Sequence, residues 1–174
     1  MSIHIIIDGY NLIRQSKKLS AFELQDFQLG REALVDWLAI YKKIKAHRIT
    51  VIFDGAGSPW FSQQRDRHKG ITIVYSCDGE SADNLIKQMA RQEGEKALVV
   101  SSDLDIVRSA EAWNAVTISA QDFEKKLSLS LLYVDGTEIN RDAHNGWTPT
   151  TKKKGPARRL SKKKRKAKAK IRKL

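Results

Sequence analysis

The chain has 174 residues, 41% of them hydrophobic, enough for one domain with a core of its own. It carries 32 Lys and Arg against 20 Asp and Glu, a formal net charge of +12, and one cysteine, Cys77, which excludes an internal disulfide and a Cys-x-x-Cys metal knuckle. No apolar run approaches the roughly 20 residues of a membrane span, and His4 and Asp8 interrupt the only apolar run near the start, so no leader pattern is present and a cytoplasmic protein is expected.

Residues 3–7 are short, apolar and mostly β-branched, the pattern of a buried strand, and they run into Asp8-Gly9. After a loop, Leu29, Ala33, Leu34, Trp37, Leu38, Tyr41 and Ile44 recur at threes and fours, one stripe of a helix ending near His47. Residues 49–53 form a second buried strand that again ends in Asp-Gly, at Asp54-Gly55. Residues 56–70 are polar and basic, broken by Gly57, Pro59 and Gly70, and read as a loop. A third strand covers 71–75. Ala82, Leu85, Ile86, Met89 and Ala90 mark a second helix, stopped near Gly94. A fourth strand at 97–100, a short helix at 106–113 and a fifth strand at 115–118 follow. Ser119 and Asp122 have the spacing of a capping box that opens a last helix, running to about Leu129.

Continuously apolar strands alternating with helices indicate a parallel sheet covered on both faces. The expected fold is therefore α/β, three layers around a mostly parallel five-stranded sheet, occupying residues 1–135. Residues 136–150 carry Asn, Asp, Gly and Thr and read as a linker. Residues 151–174 hold fourteen Lys and Arg and no acidic residue, which leaves 18 basic against 20 acidic residues in the rest. The high charge thus describes a cationic tail, expected to be disordered when free, on a near-neutral domain.

In open parallel sheets, ligands bind beyond the carboxyl ends of the strands. Asp8 and Asn11 follow the first strand, Asp54 the second, Glu80 and Asp83 the third, and Asp103 and Asp105 the fourth. Carboxylates gathered on one edge repel one another unless a cation sits among them, and hard oxygen donors with few histidines suit Mg²⁺ or Mn²⁺ and not zinc. Each residue also has a plainer reading. Asp-Gly after a strand is common turn chemistry, Glu80 and Asp83 favour a helix N-terminus, and Asp103 or Ser102 suits an N-cap. The coincidence of all four strand ends argues for a site. A catalytic metal centre makes a geometric demand, that the carboxylates of Asp8, Asp83 and Asp103 lie within one coordination shell, about 4–5 Å apart, and side chains that point apart would count against an enzyme. Asp122 is read as a cap, Asp78 as an exposed turn residue and His4 as a satisfied core residue. His47, His68 and His144 lack metal-ligand spacing.

Ile7-Asp-Gly-Tyr-Asn11, Phe53-Asp-Gly55, Gly79-Glu-Ser-Ala-Asp-Asn84 and Val99-Val-Ser-Ser-Asp-Leu-Asp105 occur in order and at compatible spacing. They resemble the NYN branch of the PIN-like ribonucleases, specifically the YacP-like group of bacterial proteins, over about residues 3–130. The resemblance implies an α/β/α nuclease fold, a divalent-metal acidic site and endonucleolytic cleavage of RNA. By motif, Asp8, Asp83 and Asp103 would be metal ligands, Asn11 would orient or ligate, and Asp105, Glu80 or Asp54 would complete the site. Trp113-Asn114 stands where the group often has a glycine, and the cationic tail is not part of the pattern. A rival signature, Asp103-Leu-Asp105-Ile-Val107, fits the Asp-x-Asp nucleophile motif of HAD-like phosphatases, but it follows the fourth strand where that motif normally follows the first.

RNA is the expected partner, with the ribosome or its messages as a candidate setting, and no membrane anchor is present. Trp60 and Phe61 beside Arg65, Arg67, His68 and Lys69 combine stacking surface with phosphate-tracking charge, unless the aromatics pin that loop to the core. Lys87, one turn beyond Asp83, can reach a phosphate, although a solvated or snorkelling lysine is the plainer reading. Lys152, Lys153, Lys154, Arg158, Arg159, Lys162, Lys163, Lys164 and Arg165 of the tail can neutralise further phosphates. The alternative function is a non-catalytic RNA- or ribosome-binding protein that keeps the nuclease fold. Nothing in the sequence specifies an oligomeric state.

Overall fold

Among the described residues, six strands, not five, make the central sheet. A computed structural model describes residues 3–55, 64–77, 79–134 and 161–174. Strand β1 (His4–Asp8) is followed by helices α1 (Gly9–Gln15), α2 (Lys17–Gln25) and α3 (Phe27–Ile44), then by β2 (Arg48–Phe53), β3 (Gln64–His68), β4 (Ile71–Tyr75) and α4 (Ala82–Glu93). Strand β5 (Ala97–Val100), α5 (Leu104–Ala112), β6 (Val116–Ile118) and α6 (Ala120–Val134) complete the alternation, and α7 (Lys162–Ile171) follows. The sheet order is β3-β4-β2-β1-β5-β6. Every pairing is parallel except β3 with β4. The extra strand lies in the segment expected to be a loop. Its Gln-Arg-Asp-Arg-His sequence is exposed throughout, so no apolar signal marks it. An edge strand needs only one hydrogen-bonded neighbour, and charged side chains there discourage pairing with another chain.

Alternate side chains of the central strands serve two cores. Ile5, Ile7, Val51, Phe53 and Val100 pack toward α1, α3 and α6, where Leu12, Leu34, Leu38, Tyr41 and Phe123 are buried. Ile6, Ile52, Val74 and Val99 pack toward α4 and α5 through Leu85, Ile86, Ala90, Ile106 and Ala110. These are the two helical layers expected from the sequence. Residues 9–25, expected as a loop, instead form α1 and α2. Helices of seven and nine residues are too short to stand alone and hold by tertiary packing. Polar residues mark the boundaries: Ser16 caps the start of α2, its side chain accepting from Leu19 N–H at 3.4 Å, and Asp26, where α2 stops, caps α3 by accepting from Gln28 N–H at 2.6 Å. Among the described residues, no helix is long and apolar enough to cross a membrane.

The tail also departs from expectation. Residues 162–171 form a helix, and Ala167, Ile171 and Leu174 pack against the larger core, Leu174 being only 6% exposed. The Tyr41 hydroxyl donates to the Leu174 carbonyl at 3.0 Å. The spacing 167, 170, 171, 174 is a helical i, i+3, i+4, i+7 stripe, and the aliphatic stem of Lys170 fills its one charged position. Asp78, Trp60, Phe61, the linker and residues 152–159 lie outside the described residues.

His4 is the satisfied core histidine expected. Its Nδ1 lies 3.0 Å from a Glu93 carboxylate oxygen and its Nε2 2.8 Å from the Thr50 hydroxyl. A neutral ring serves both, donating at Nδ1 and accepting at Nε2. Burial holds the imidazole below its ordinary 6.5, and the Glu93 hydrogen bond opposes that shift. The folded pKa is therefore depressed, so His4 stabilises the fold fully above pH 6.5 and loses that contribution as pH falls through its lowered value. Urea midpoints at roughly pH 7.5 and 5.5 should fall further in the wild type than in His4→Gln. Parallel losses in the two proteins would assign the acid sensitivity elsewhere.

Candidate active site

The strand order reverses between β1 and β5, and the ends of those strands carry Asp8 and the segment from Ser101 to Asp105. Pairing of Ile7 with Val100 sets Asp8 beside Ser101. Asp8 caps α1: Oδ1 accepts from the Asn11 N–H at 3.2 Å, and Oδ2 accepts from the Ser101 hydroxyl at 3.3 Å. The Asn11 side-chain oxygen accepts from the Ser102 N–H at 3.0 Å and ties α1 to the loop after β5. Gly9 is required by packing, not by a turn. A Cβ there would lie 2.3 Å from the Phe53 ring, and that ring is fixed between Tyr10 and Tyr75, with centroids 5.3 and 5.8 Å away.

The second Asp-Gly pair has a similar origin. A Cβ on Gly55 would meet the Ser76 carbonyl oxygen at 2.2 Å. The Ser76 hydroxyl accepts from the Gly55 N–H and donates to Asp54 Oδ1, each at 3.0 Å. Asp83 stands in the first turn of α4, whose cap Ser81 accepts from the Asn84 N–H at 3.2 Å. Glu80 lies before that helix, 3.7 Å from the Cys77 sulfur. Asp103 caps α5, its Oδ1 accepting from Asp105 N–H at 2.7 Å and Ile106 N–H at 3.4 Å. Asp105 turns its carboxylate to the Lys87 ammonium.

An open cleft of about 280 Å³ lies at this edge, with Asp8, Asp54 and Asp83 on its acidic side and Tyr10, Asn11 and Arg14 on the α1 side. Burial pushes the Asp8 carboxyl above the usual range, and the charges of Asp83 and Asp103 add to that, against hydrogen bonds from Asn11 and Ser101. Burial likewise raises Asp83, with Asp103, Asp54 and Asp105 adding and Lys87 opposing. The carboxylates from four strand ends thus share one electrostatic environment. The sequence placed them there, and Tyr10, Arg14 and Arg31 were the residues it missed. The Arg31 guanidinium lies 5.4, 5.6 and 5.5 Å from the ring centroids of Tyr10, Phe53 and Tyr75, and Arg14 lies 5.3 Å from Tyr10. Arg14 sits one helical turn after Asn11, a signal available once α1 is known to begin at Gly9.

The donor set suits a hard divalent cation: carboxylates, a side-chain amide oxygen and a hydroxyl, with no imidazole among them. The stricter expectation is not met. Among the described residues, no three acidic, histidine or cysteine side chains stand close enough together to hold one ion. The physical reason is visible in the partners: Asp103 is engaged by backbone N–H groups and Asp105 by Lys87. Mg²⁺ commonly takes one or two carboxylates and completes its shell with water and substrate phosphate. Asp8 and Asp83, both at the cleft and both raised, fit that smaller role.

The expected RNA-contacting cations are dispersed. Arg65 and Arg67 are exposed on β3, Arg65 opposite Val74 near the cleft end of β4. Lys69 lies at the other end of the hairpin and pairs with Asp36 at 2.7 Å. Lys162, Lys163, Lys164 and Arg165 open α7, away from the cleft. Asp122 is a cap as expected: the Ser119 hydroxyl accepts from the Asp122 N–H at 3.1 Å and donates to its carboxylate at 2.9 Å.

A family model described as the YacP-like NYN domain matches residues 5–173, so the basic segment lies within the matched span. The protein YacP of Bacillus subtilis (strain 168) is 24% identical over 87 residues, covering 50% of this chain and 51% of that protein. The match thus spans about half the length of that relative. The crystal structure of Rae1 (YacP) from Bacillus subtilis is similar with a TM-score of 0.64 at 22% identity, covering 78% of each chain. A mutant of the same protein gives 0.65 at 19% identity, covering 76% of this chain and 79% of that one. At these identities the likeness shows a shared fold.

Proposed function

Because the chain belongs to the family of YacP-like NYN domains, which have a nuclease-type fold, we propose that it is a divalent-metal-dependent endoribonuclease. The observation that carries this reading is that Asp8, Asp54 and Asp83, from three strand ends, line one cleft, with the charge of Asp103 near enough to add to burial in raising Asp8 and Asp83. Asp8 and Asp83 would hold Mg²⁺ or Mn²⁺, and Asp54 and Asp103 add negative potential. When bound, the cation supplies Lewis acidity toward a phosphate oxygen and lowers the pKa of a water. Asn11 orients the loop after β5 through Ser102. Arg14, on the α1 side of the cleft, meets a non-bridging phosphate oxygen. The N-termini of α4 and α5, at the same edge of the sheet, favour that anion. The cleft is open and lies along the carboxyl edge of the sheet, so the RNA lies across that edge and is cut internally, on the ribosome or free.

The second reading is a non-catalytic RNA-binding protein. It is favoured by the engagement of Asp103 as a helix cap and of Asp105 by Lys87. Incubating the protein with unstructured RNA in Mg²⁺, in Mn²⁺ and in chelator separates the two. Internal cleavage with either metal and none with chelator is expected. RNA bound but uncut under all three conditions would establish the second reading.

A further inference from the structure

We propose a second RNA-binding site on the opposite edge of the sheet from the cleft, built from the outer face of α7 together with Trp113 and Arg91. It goes beyond the cleavage reading and rests on it only for the choice of RNA as the polyanion. Lys166 pairs with Glu95 at 3.4 Å, Lys170 donates to the Ala97 carbonyl at 3.2 Å, and Lys163 donates to the Glu111 carbonyl at 2.9 Å. Glu95 and Ala97 lie where β5 begins, and Glu111 lies near the end of the antiparallel-running α5. Helix α7 therefore runs across the amino ends of the strands. The carboxylates of the cleft stand at their carboxyl ends, a strand length of roughly 13–17 Å away at 3.3 Å per residue.

Two independent features of this edge point to nucleic acid. First, docking consumes one face of α7 and leaves Lys162, Arg165, Lys168 and Arg172 exposed in a single stripe about 15 Å long at 1.5 Å per residue. Among the described residues, none of these four has an acidic partner within ion-pair distance, whereas Lys166 of the docked face does. A helix of clustered like charges repels itself until a polyanion neutralises it. Second, Trp113 lies beside the start of α7, two residues from the carbonyl that Lys163 engages. It is 45% exposed, and the Arg91 guanidinium lies 4.6 Å from its ring centroid. An exposed indole with a cation on one face, next to a row of exposed cations, presents what single-stranded RNA uses: a ring for a base and charges for the phosphates. A membrane surface fits poorly, because the exposed apolar residue on the outward face of α7 is Ala169, whose methyl group is too small to anchor the helix.

The test is equilibrium binding of a labelled poly-uridine RNA between roughly 50 and 200 mM salt. The full chain is compared with a variant carrying Lys162→Gln, Arg165→Gln, Lys168→Gln and Arg172→Gln, and separately with Trp113→Ala and Trp113→Tyr. In the fourfold variant, affinity at low salt should fall at least tenfold and the slope of log affinity against log salt should flatten by about 0.7 for each phosphate that is no longer neutralised. Trp113→Ala should weaken binding about fivefold or more at every salt concentration with the slope unchanged, and Trp113→Tyr should keep most of the affinity. Unchanged slope and affinity in the fourfold variant would overturn the proposal. So would a preference of the wild type for phosphatidylserine vesicles over RNA at equal salt. Cleavage is not the readout, so a protein that binds in this way and cuts nothing loses the nuclease reading and keeps this site. A protein that cuts with Mg²⁺ yet shows no change in the fourfold variant does the reverse.

Discussion

Removing residues 161–174 should cost the domain about 3–5 kcal/mol of stability, a large share of the roughly 5–15 kcal/mol that holds a typical domain folded. Burial of the Leu174 side chain contributes about 1.5–3 kcal/mol. The buried Tyr41 hydroxyl would lose its acceptor, which costs about 1–3 kcal/mol. Ala167 and Ile171 add smaller amounts where they cover the core. Self-repulsion along α7 works the other way, so the loss should be larger at high salt, where that repulsion is screened. Urea unfolding of the full and shortened chains measures the difference. If the shortened chain fails to fold, Leu174→Ala and Tyr41→Phe give the graded values, with Leu174→Ala the more damaging. An unchanged midpoint in all three would mean that α7 is a charged appendage that merely lies against the core.

Asp8→Asn should abolish RNA cleavage, by about a hundredfold or more, the scale on which electrostatic groups act in a transition state, and should leave the metal-free protein at least as stable as the wild type. The amide keeps the oxygen that caps α1 and removes the charge. The folded pKa of Asp8 is raised, chiefly by burial and also by Asp83 and Asp103. An acid raised in the folded state binds its proton more tightly there, so stability falls as pH rises from the unfolded value of 3.8 through the folded one. Above that window, ionised Asp8 carries a constant penalty that Asn lacks. The stability advantage of Asp8→Asn should therefore be full at neutral pH and vanish below about pH 3.8. Denaturant midpoints across pH, without divalent metal, test the sign. Asp122→Asn is the control and should cut RNA normally, because Asp122 serves the start of α6. Wild-type cleavage by Asp8→Asn would remove Asp8 from the site.

The sequence by itself determined the framework and the identity of the acidic edge. Five apolar strands, the helices between them and the chain order of Asp8, Asp54, Asp83 and Asp103 are local properties, because buried parallel strands are written as continuous β-branched runs and site carboxylates follow them directly. Tertiary structure decided what local pattern does not encode. Strand β3 exists because β4 offers it an unpaired edge, and α1 and α2 exist because the sheet buries Leu12, Ile13 and Leu19. Gly9 and Gly55 look like turn residues in the sequence, yet each is small because another part of the chain, Phe53 or Ser76, comes within a Cβ's reach. The tail looks like solvated charge when residues are counted, but position decides otherwise: Ala167, Ile171 and Leu174 fall on one face of a helix and meet Tyr41's side of the core. Whether the carboxylates converge on one ion was likewise a tertiary question, because Asp103 and Asp105 choose between a cation and partners that only the folded chain brings to them.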